Sequence, residues 1–429
     1  MSHTDLAKTQ LRKLLTRTDR LVLEATLPSL EAKIQVIDAF GLYLHIPFCH
    51  QICPYCPYNK VIYQPELAET YTQAVLGEID IYAALVGSRP VTSCYIGGGT
   101  PTTMLYSGLD RILDHIFKRF NMKCDIHMES HPNDLSPDNL NAILSMGVEH
   151  LSTGVEALQD HHLKTLHRPY TVAQVRESLE RAVGKDFKCV NADLIFALPD
   201  QTLNEIAQAG RALIQIGVDQ VAAYPLFEFP YIRWAEIRNN SSSKKPGIFK
   251  RRRMLRVLEE TFYAARFERT SVWAFTRAGV PKYCSVTVPL YIGLGASGSS
   301  YLKDVFYLNT FNVQEYIRSL ENRRLPIALS LELSESMQMA GWVYWRMYET
   351  HISKSEFGLR FGKDLDRVYG RYVRWLSLMG FLVEAGDEIV LSDRGAYWLH
   401  ALQDLFSIDY IAKLWGTSVQ DPWPNQVAL

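Results

Sequence analysis

Between residue 42 and about residue 226, short apolar runs alternate with amphipathic stretches. Six runs are strand-like: Leu42–Ile46, Ser93–Ile96, Asp125–Met128, His150–Gly154, Val190–Phe196 and Gln220–Leu226. Between them apolar residues recur at helical spacing, as in Tyr71–Leu85, where Val75, Ile79 and Tyr82 fall four and three apart. This alternation predicts a parallel sheet, because parallel strands need crossover connections that helices supply. Six such units predict an α/β fold, a partial (β/α)6 TIM-like barrel. In that class the chemistry gathers at the C-terminal ends of the strands.

The remaining pattern divides the chain further. Residues 1–40 read as an N-terminal helical extension and 41–237 as the barrel. Arg238–Gly247, rich in Asn, Ser and Lys, reads as an exposed linker opening a 238–330 segment that completes the barrel on its substrate side. Lys250–Arg253 begin a helix to about Phe267; the basic run is either a solvated helix start or an anion-binding lip. Residues 331–405 are mostly helical, with β-prone runs flanking Gly386-Asp387 and a helical pattern over Arg394–Leu405. Helices with a hairpin predict a winged-helix-like C-terminal domain. Residues 406–429, with Trp415 and Trp423, form a tail.

Hydrophobic residues make up 47% and charged residues 21% of 429, with a net charge of −1. That composition is ordinary for a soluble protein and gives no global attraction to nucleic acid or membrane. The winged-helix-like region has no strong basic stripe, which favours an accessory domain over DNA binding. Apolar runs fall well short of the roughly 20 residues that span a bilayer. The basic first twenty residues carry Asp5 and Asp19, which speaks against a transit peptide, and the expected location is cytoplasmic.

Chemistry concentrates in Cys49, Cys53 and Cys56, separated by three and two residues directly after the first strand. Three thiolates from one loop can hold three irons of a 4Fe–4S cluster and leave the fourth open to a ligand. A structural zinc site completed by His45 or His50 is the alternative, although no second C-x2-C follows. Cys94, Cys124 and Cys189 sit in or beside strand-like runs, where a buried free thiol is the ordinary state, and Cys284 lies in a less regular segment. Gly97, Gly98, Gly99 and Thr100 follow the second strand, where a side-chain-free backbone lets a ligand approach closely. Glu129, Glu156, Arg168 and Asp193 fall in or after successive strands. Each is either one half of a structural ion pair or part of a shared site in which Arg168 takes a carboxylate and the acids take an ammonium and hydroxyls.

With these residues in hand, the chain resembles the radical S-adenosylmethionine (SAM) superfamily, and within it the oxygen-independent coproporphyrinogen III dehydrogenase-like (HemN-like) subgroup. The resemblance runs from about Leu42 to Leu405. It rests on the C-x3-C-x2-C loop with its lead-in Tyr43–Cys49, on Gly97–Thr102, on Leu151–Val155, on Asp193–Gln201 and on Tyr291–Ala296. It implies a 4Fe–4S cluster on Cys49, Cys53 and Cys56. It also implies SAM contacts from Tyr43, Gly98, Gly99, Thr100, Glu129, Glu156, Arg168 and Asp193. The implied activity is reductive SAM cleavage to a 5′-deoxyadenosyl radical, acting on a tetrapyrrole or similar conjugated molecule. Related members include class C-type methyltransferases of an sp2 carbon and haem chaperones, and both remain alternatives. Some members hold a second SAM, so one or two molecules are expected, with an electron donor such as flavodoxin or ferredoxin. The chain departs from the dehydrogenase pattern at Tyr58, where a further cysteine is usual, at Glu156, usually glutamine, and at Ala197, usually glycine.

Overall fold

The apolar runs become six parallel strands: β1 (Phe40–Ile46), β2 (Pro90–Gly98), β3 (Ile126–Ser130), β4 (Val148–Glu156), β5 (Cys189–Phe196) and β6 (Gln220–Pro225). The computed structural model describes residues 13, 18, 21–26, 29–234, 245–283 and 289–429. Consecutive strands are neighbours and every pair is parallel. Helices Pro65–Val86, Leu109–Arg119, Pro137–Ser145, Val172–Val183 and Leu203–Ile216 make the crossovers. Their starts are written locally: Thr171 with Gln174, and Thr202 with Glu205, form capping boxes that satisfy the first free N–H groups.

Two apolar cores lie beneath the sheet. One joins β1–β4 to Pro65–Val86 and Leu109–Arg119; the other joins β5 and β6 to Leu203–Ile216 and Ile248–Ala264. Large side chains such as Tyr71, Phe196 and Phe262 are fully buried, each worth about 1.5–3 kcal/mol against exposure. A side chain that points into the barrel interior, by contrast, alternates with these along each strand. Those interior positions carry Tyr43 and His45, Tyr95, Glu129, Ser152, and Asn191 and Asp193.

The sheet continues past both edges of the six. Beside β1 lies β7 (Tyr291–Leu294), parallel to it. Antiparallel strands Ser299–Leu302, Val305–Asn309 and Ile327–Glu332 follow, and then Val22–Glu24 and Gln426–Ala428. The expected helical extension 1–40 therefore contains a strand: Val22–Glu24 is laddered to Ser330 on one side and to Gln426–Ala428 on the other. Pairing with distant segments, and burial of Leu23 between them, overrides local preference there. On the opposite edge Ala274–Arg277 runs antiparallel to β6.

The C-terminal unit has the helix–strand–helix–helix–hairpin order of a winged helix: Glu335–Tyr348, His351–Ser353, Lys354–Phe361, Leu365–Leu378, then Leu382–Ala385 and Glu388–Leu391. Gly386, at φ 66°, turns the hairpin. The next helix runs Asp393–Gln420, so the expected boundary at 405 falls inside it and the tail begins only afterwards. The basic run lies in the helix Ile248–Ala264, where Arg252 pairs with Glu259 at 2.8 Å. Most of the expected linker 238–247, and Cys284, lie outside the described residues. No described helix is long and apolar enough to cross a membrane.

Candidate functional site

The cysteine loop leaves the C-terminal end of β1 and folds over the mouth of the barrel. Its backbone is tied down at several points: Val61 N–H to Pro47 O at 2.7 Å, Tyr63 N–H to Cys49 O at 3.0 Å and Trp234 N–H to Pro54 O at 3.0 Å. Lys60 Nζ closes it from within, donating to the carbonyls of Cys56 and Tyr58 at 2.8 and 2.9 Å. The three thiols are close enough to feel one another electrostatically. Burial pushes the Cys56 thiol up to about 12 and also raises that of Cys49. Thiolates in such a place persist only against bound cations, which the irons of a cluster are.

The glycine turn fits flush against this loop. A Cβ at Gly99 would lie 2.8 Å from the carbonyl oxygen of Phe48, and one at Gly98 would lie 2.6 Å from the His45 ring. Gly99 N–H donates to Ile46 O at 2.7 Å, Thr100 N–H to Phe48 O at 2.8 Å, and Gly98 N–H to Glu129 Oε2 at 3.1 Å. These N–H groups are thus consumed within the chain. Those three N–H groups are therefore not available to an anion.

Tyr43 and His45 share a pleat on β1. His45 Nε2 lies 3.0 Å from the carbonyl of Asn59, so Nε2 carries the proton and the bare Nδ1 accepts from Tyr43 OH at 2.8 Å. Both ring nitrogens are engaged, and burial lowers the ring to about 4. His45 is therefore not free to complete a zinc set with the cysteines.

Three carboxylates face the same chamber. Glu129, at the end of β3, accepts from Tyr95 OH and Gly98 N–H. Glu156, the last residue of β4, has φ 66°, pairs with Arg168 at 3.7 Å and keeps Oε2 without a hydrogen-bond partner. Asp193, on β5, accepts from Ser152 Oγ and Asn191 Nδ2, both at 2.9 Å. Burial raises all three above the usual carboxylate range, and it carries Asp193 to about 8 with help from the charges of Glu156 and Glu129. The acceptor Asn191 Oδ1 is also unpartnered. A buried space lined by acceptors with too few donors is complementary to a cationic, hydroxyl-rich ligand.

Arg168 is the cation set among them. Its Nη1 donates to Cys53 Sγ at 3.2 Å and its Nη2 to Gly154 O at 2.6 Å, while Nε meets Tyr170 OH. Burial opposes its charge, but Tyr55, Tyr170 and Glu156 around it hold its pKa well above the ordinary value. The chain thus brings Tyr43, the glycine turn, Glu129, Glu156, Arg168 and Asp193 into one chamber beside Cys49, Cys53 and Cys56. Sequence reasoning passed over Tyr95, Ser152 and Asn191. Their signal was a polar side chain at every second position of strands that are otherwise apolar, which marks the inner face of a barrel. Tyr58 stands at the rim, half-exposed, its ring 5.9 Å from that of Trp415 in the C-terminal helix.

Residues 43–213 match the model of the Radical SAM superfamily. That superfamily implies a 4Fe–4S cluster and SAM, and the thiol loop and acceptor-lined chamber fit both. The chain is 25% identical over 360 residues to haem chaperone HemW of Bacillus subtilis, covering 82% of this chain and 95% of the relative. It is 24% identical over 396 residues to oxygen-independent coproporphyrinogen III oxidase of Synechocystis, covering 85% and 84%. Its fold matches that of the coproporphyrinogen III oxidase HemN from Escherichia coli, a radical SAM enzyme, with TM-score 0.76 and 19% identity over 90% of this chain and 94% of that one. The chain thus carries a Radical SAM domain over residues 43–213, and the relatives it resembles are haem chaperones HemW and oxygen-independent coproporphyrinogen III oxidases.

Proposed function

We propose that this chain holds a 4Fe–4S cluster on Cys49, Cys53 and Cys56, binds SAM against Glu129, Glu156 and Asp193, and acts on a tetrapyrrole or a similar conjugated, carboxylated molecule. The observation that carries this reading is the acceptor-rich chamber beside the thiol loop, with Glu156 Oε2 and Asn191 Oδ1 unpartnered. Together the two cofactors supply one-electron reduction of SAM and hydrogen-atom abstraction, the electron coming from a donor such as flavodoxin or ferredoxin. The glycine-turn carbonyls accept from the ligand's ammonium, and Glu156 and Asp193 accept from its hydroxyls. Arg168 braces Cys53 and Gly154 and has N–H groups remaining for a carboxylate. Tyr58 and Trp415 border the side from which substrate arrives.

A second reading, haem delivery without turnover, is favoured by the name of the Bacillus subtilis relative, which this chain matches over 95% of that protein's length. The two separate on nucleoside products. The protein, reconstituted anaerobically with iron and sulfide and reduced with dithionite, is given SAM and analysed by mass spectrometry. 5′-Deoxyadenosine that disappears in Cys53→Ala supports radical chemistry, and S-adenosylhomocysteine alongside it supports methyl transfer. Stoichiometric haem uptake without either nucleoside supports delivery. Failure to assemble any cluster overturns the proposal, and titration of SAM by calorimetry counts one site or two.

A further inference from the structure

Away from the chamber, two adjacent histidines and a glutamate converge on one point of the barrel rim. His161 and His162 lie in the short helix Asp160–Thr165 after β4, and Glu205 lies in the first turn of Leu203–Ile216 after β5. His161 Nε2 is 3.1 Å, and His162 Nε2 3.7 Å, from the same atom, Glu205 Oε1. All three donor atoms lie within 4.8 Å of one another. The other carboxylate oxygen, Oε2, accepts from the N–H and Oγ of Thr202, each at 2.8 Å. The capping box thereby holds Oε1 toward the imidazoles.

An exposed ion pair between His161 and Glu205 would be unremarkable. His162 is different: it is only 3% exposed, and its Nε2 has no hydrogen-bond partner. Leaving a buried polar atom unsatisfied costs about 1–3 kcal/mol, yet this one points at a carboxylate oxygen and a second imidazole. Burial keeps the ring toward its neutral form, which is the form that ligates a metal. Two imidazole nitrogens and one carboxylate oxygen form a donor set that zinc uses, with a fourth position open to water.

We propose that His161, His162 and Glu205 form a divalent-cation site that takes zinc and joins the loops after β4 and β5. The position has a structural logic independent of the cluster. Four non-glycine residues on these two loops adopt left-handed backbone: Glu156 (φ 66°), His167 (φ 55°), Ala197 (φ 59°) and Asp200 (φ 58°). Such conformations persist only where surroundings over-determine them. A cation tying His161 and His162 to Glu205 clips the chain between Glu156 and Arg168 to the chain just beyond Ala197 and Asp200. It acts as a brace across the rim, outside the reacting chamber.

The test is zinc titration of untagged, cluster-loaded protein against a chromophoric chelator, with metal content measured by mass spectrometry. The loaded cluster occupies the three cysteines, which would otherwise compete. One zinc per chain is expected, with affinity at least about a hundredfold weaker in His161→Ala and in Glu205→Gln. Glutamine preserves the capping box, so Glu205→Gln removes the charged donor without unfolding the helix start. His115→Ala, at a part-buried histidine paired instead with Asp80, should bind zinc as wild type does. Repeating the titration in the Cys49→Ala, Cys53→Ala, Cys56→Ala chain keeps the outcome independent of whether a cluster assembles. Zinc binding unchanged in His161→Ala and Glu205→Gln, or no stoichiometric zinc in the wild type, overturns the proposal.

Discussion

Two groups of carboxylates in this molecule invite comparison. Glu78, on the helix Pro65–Val86, sits in the seam where the barrel meets its antiparallel extension. It accepts from Gly295 N–H and Asn309 Nδ2, both at 2.7 Å, and from Tyr316 OH at 2.6 Å. In the chamber, Glu156 is buried while Glu129 and Asp193 are part-buried; Glu156 Oε2 has no hydrogen-bond partner, and the charge of Glu156 raises both Glu129 and Asp193. Burial pushes carboxyls up in both places, Glu78 to about 7 and Asp193 to about 8. The difference lies in the donors. A carboxyl whose acceptor capacity is filled by its own chain is architecture, whereas a set left short of donors is waiting for a ligand to bring them.

Removing the seam acid should produce the largest effect. Glu78→Ala strands three buried donors and opens a cavity, and a loss of about 3–5 kcal/mol is expected in chemical denaturation. SAM affinity per folded molecule should be untouched; a parallel loss of affinity would erase the distinction between the two regions. Asp193→Asn should do the converse. Stability is expected to stay within about 1 kcal/mol of wild type, while SAM binding measured by calorimetry weakens at least tenfold, about 1.4 kcal/mol.

Proton linkage sharpens the comparison next. Folded, Glu78 keeps its proton to about pH 7, against 4.5 for the ordinary carboxyl. Between those values the native chain holds more protons than the unfolded one, so this contribution to stability declines as pH rises and levels off above the window. The slope attributable to Glu78 should vanish in Glu78→Ala. Asp193 should instead reveal itself on ligand binding. A cation in the chamber favours its ionised form, so SAM binding at pH 7 should release protons, seen as a buffer-dependent enthalpy that shrinks in Asp193→Asn. The smallest effect concerns Ala197, at φ 59° where the family pattern has glycine. Ala197→Gly relieves left-handed strain of about 1–2 kcal/mol and loses one buried methyl of about 0.8 kcal/mol. A net gain below about 1 kcal/mol follows; a clear loss would show that the strain is not there.

Much of this was legible in the chain. The six barrel strands were visible because strands covered on both faces are nearly continuous apolar runs, and each observed strand overlaps its predicted run. The cysteine spacing and the charged residues at strand ends pointed to one rim for the same reason of topology. Val22–Glu24 was not legible: three residues have no periodicity, and their partners lie some 300 and 400 positions away. The helix beyond Leu405 was missed because Phe406–Gln420 carries partly exposed side chains on several faces, so no single apolar stripe extends through it. The tautomer of His45, the filled N–H groups of the glycine turn and the missing partner of His162 are facts of three dimensions. No spacing encodes them.

The placement of Val22–Glu24 also bears on how the protein is made. This strand leaves the ribosome early, but its inner neighbour, Ile327–Glu332, is synthesised some 300 residues later, and its outer one, Gln426–Ala428, later still. At roughly 5–20 residues per second the wait for the first neighbour is about 15–60 s. The parallel strands are built from consecutive units whose neighbours emerge in order, whereas Val22–Glu24 can join the antiparallel extension only after those distant segments have been made.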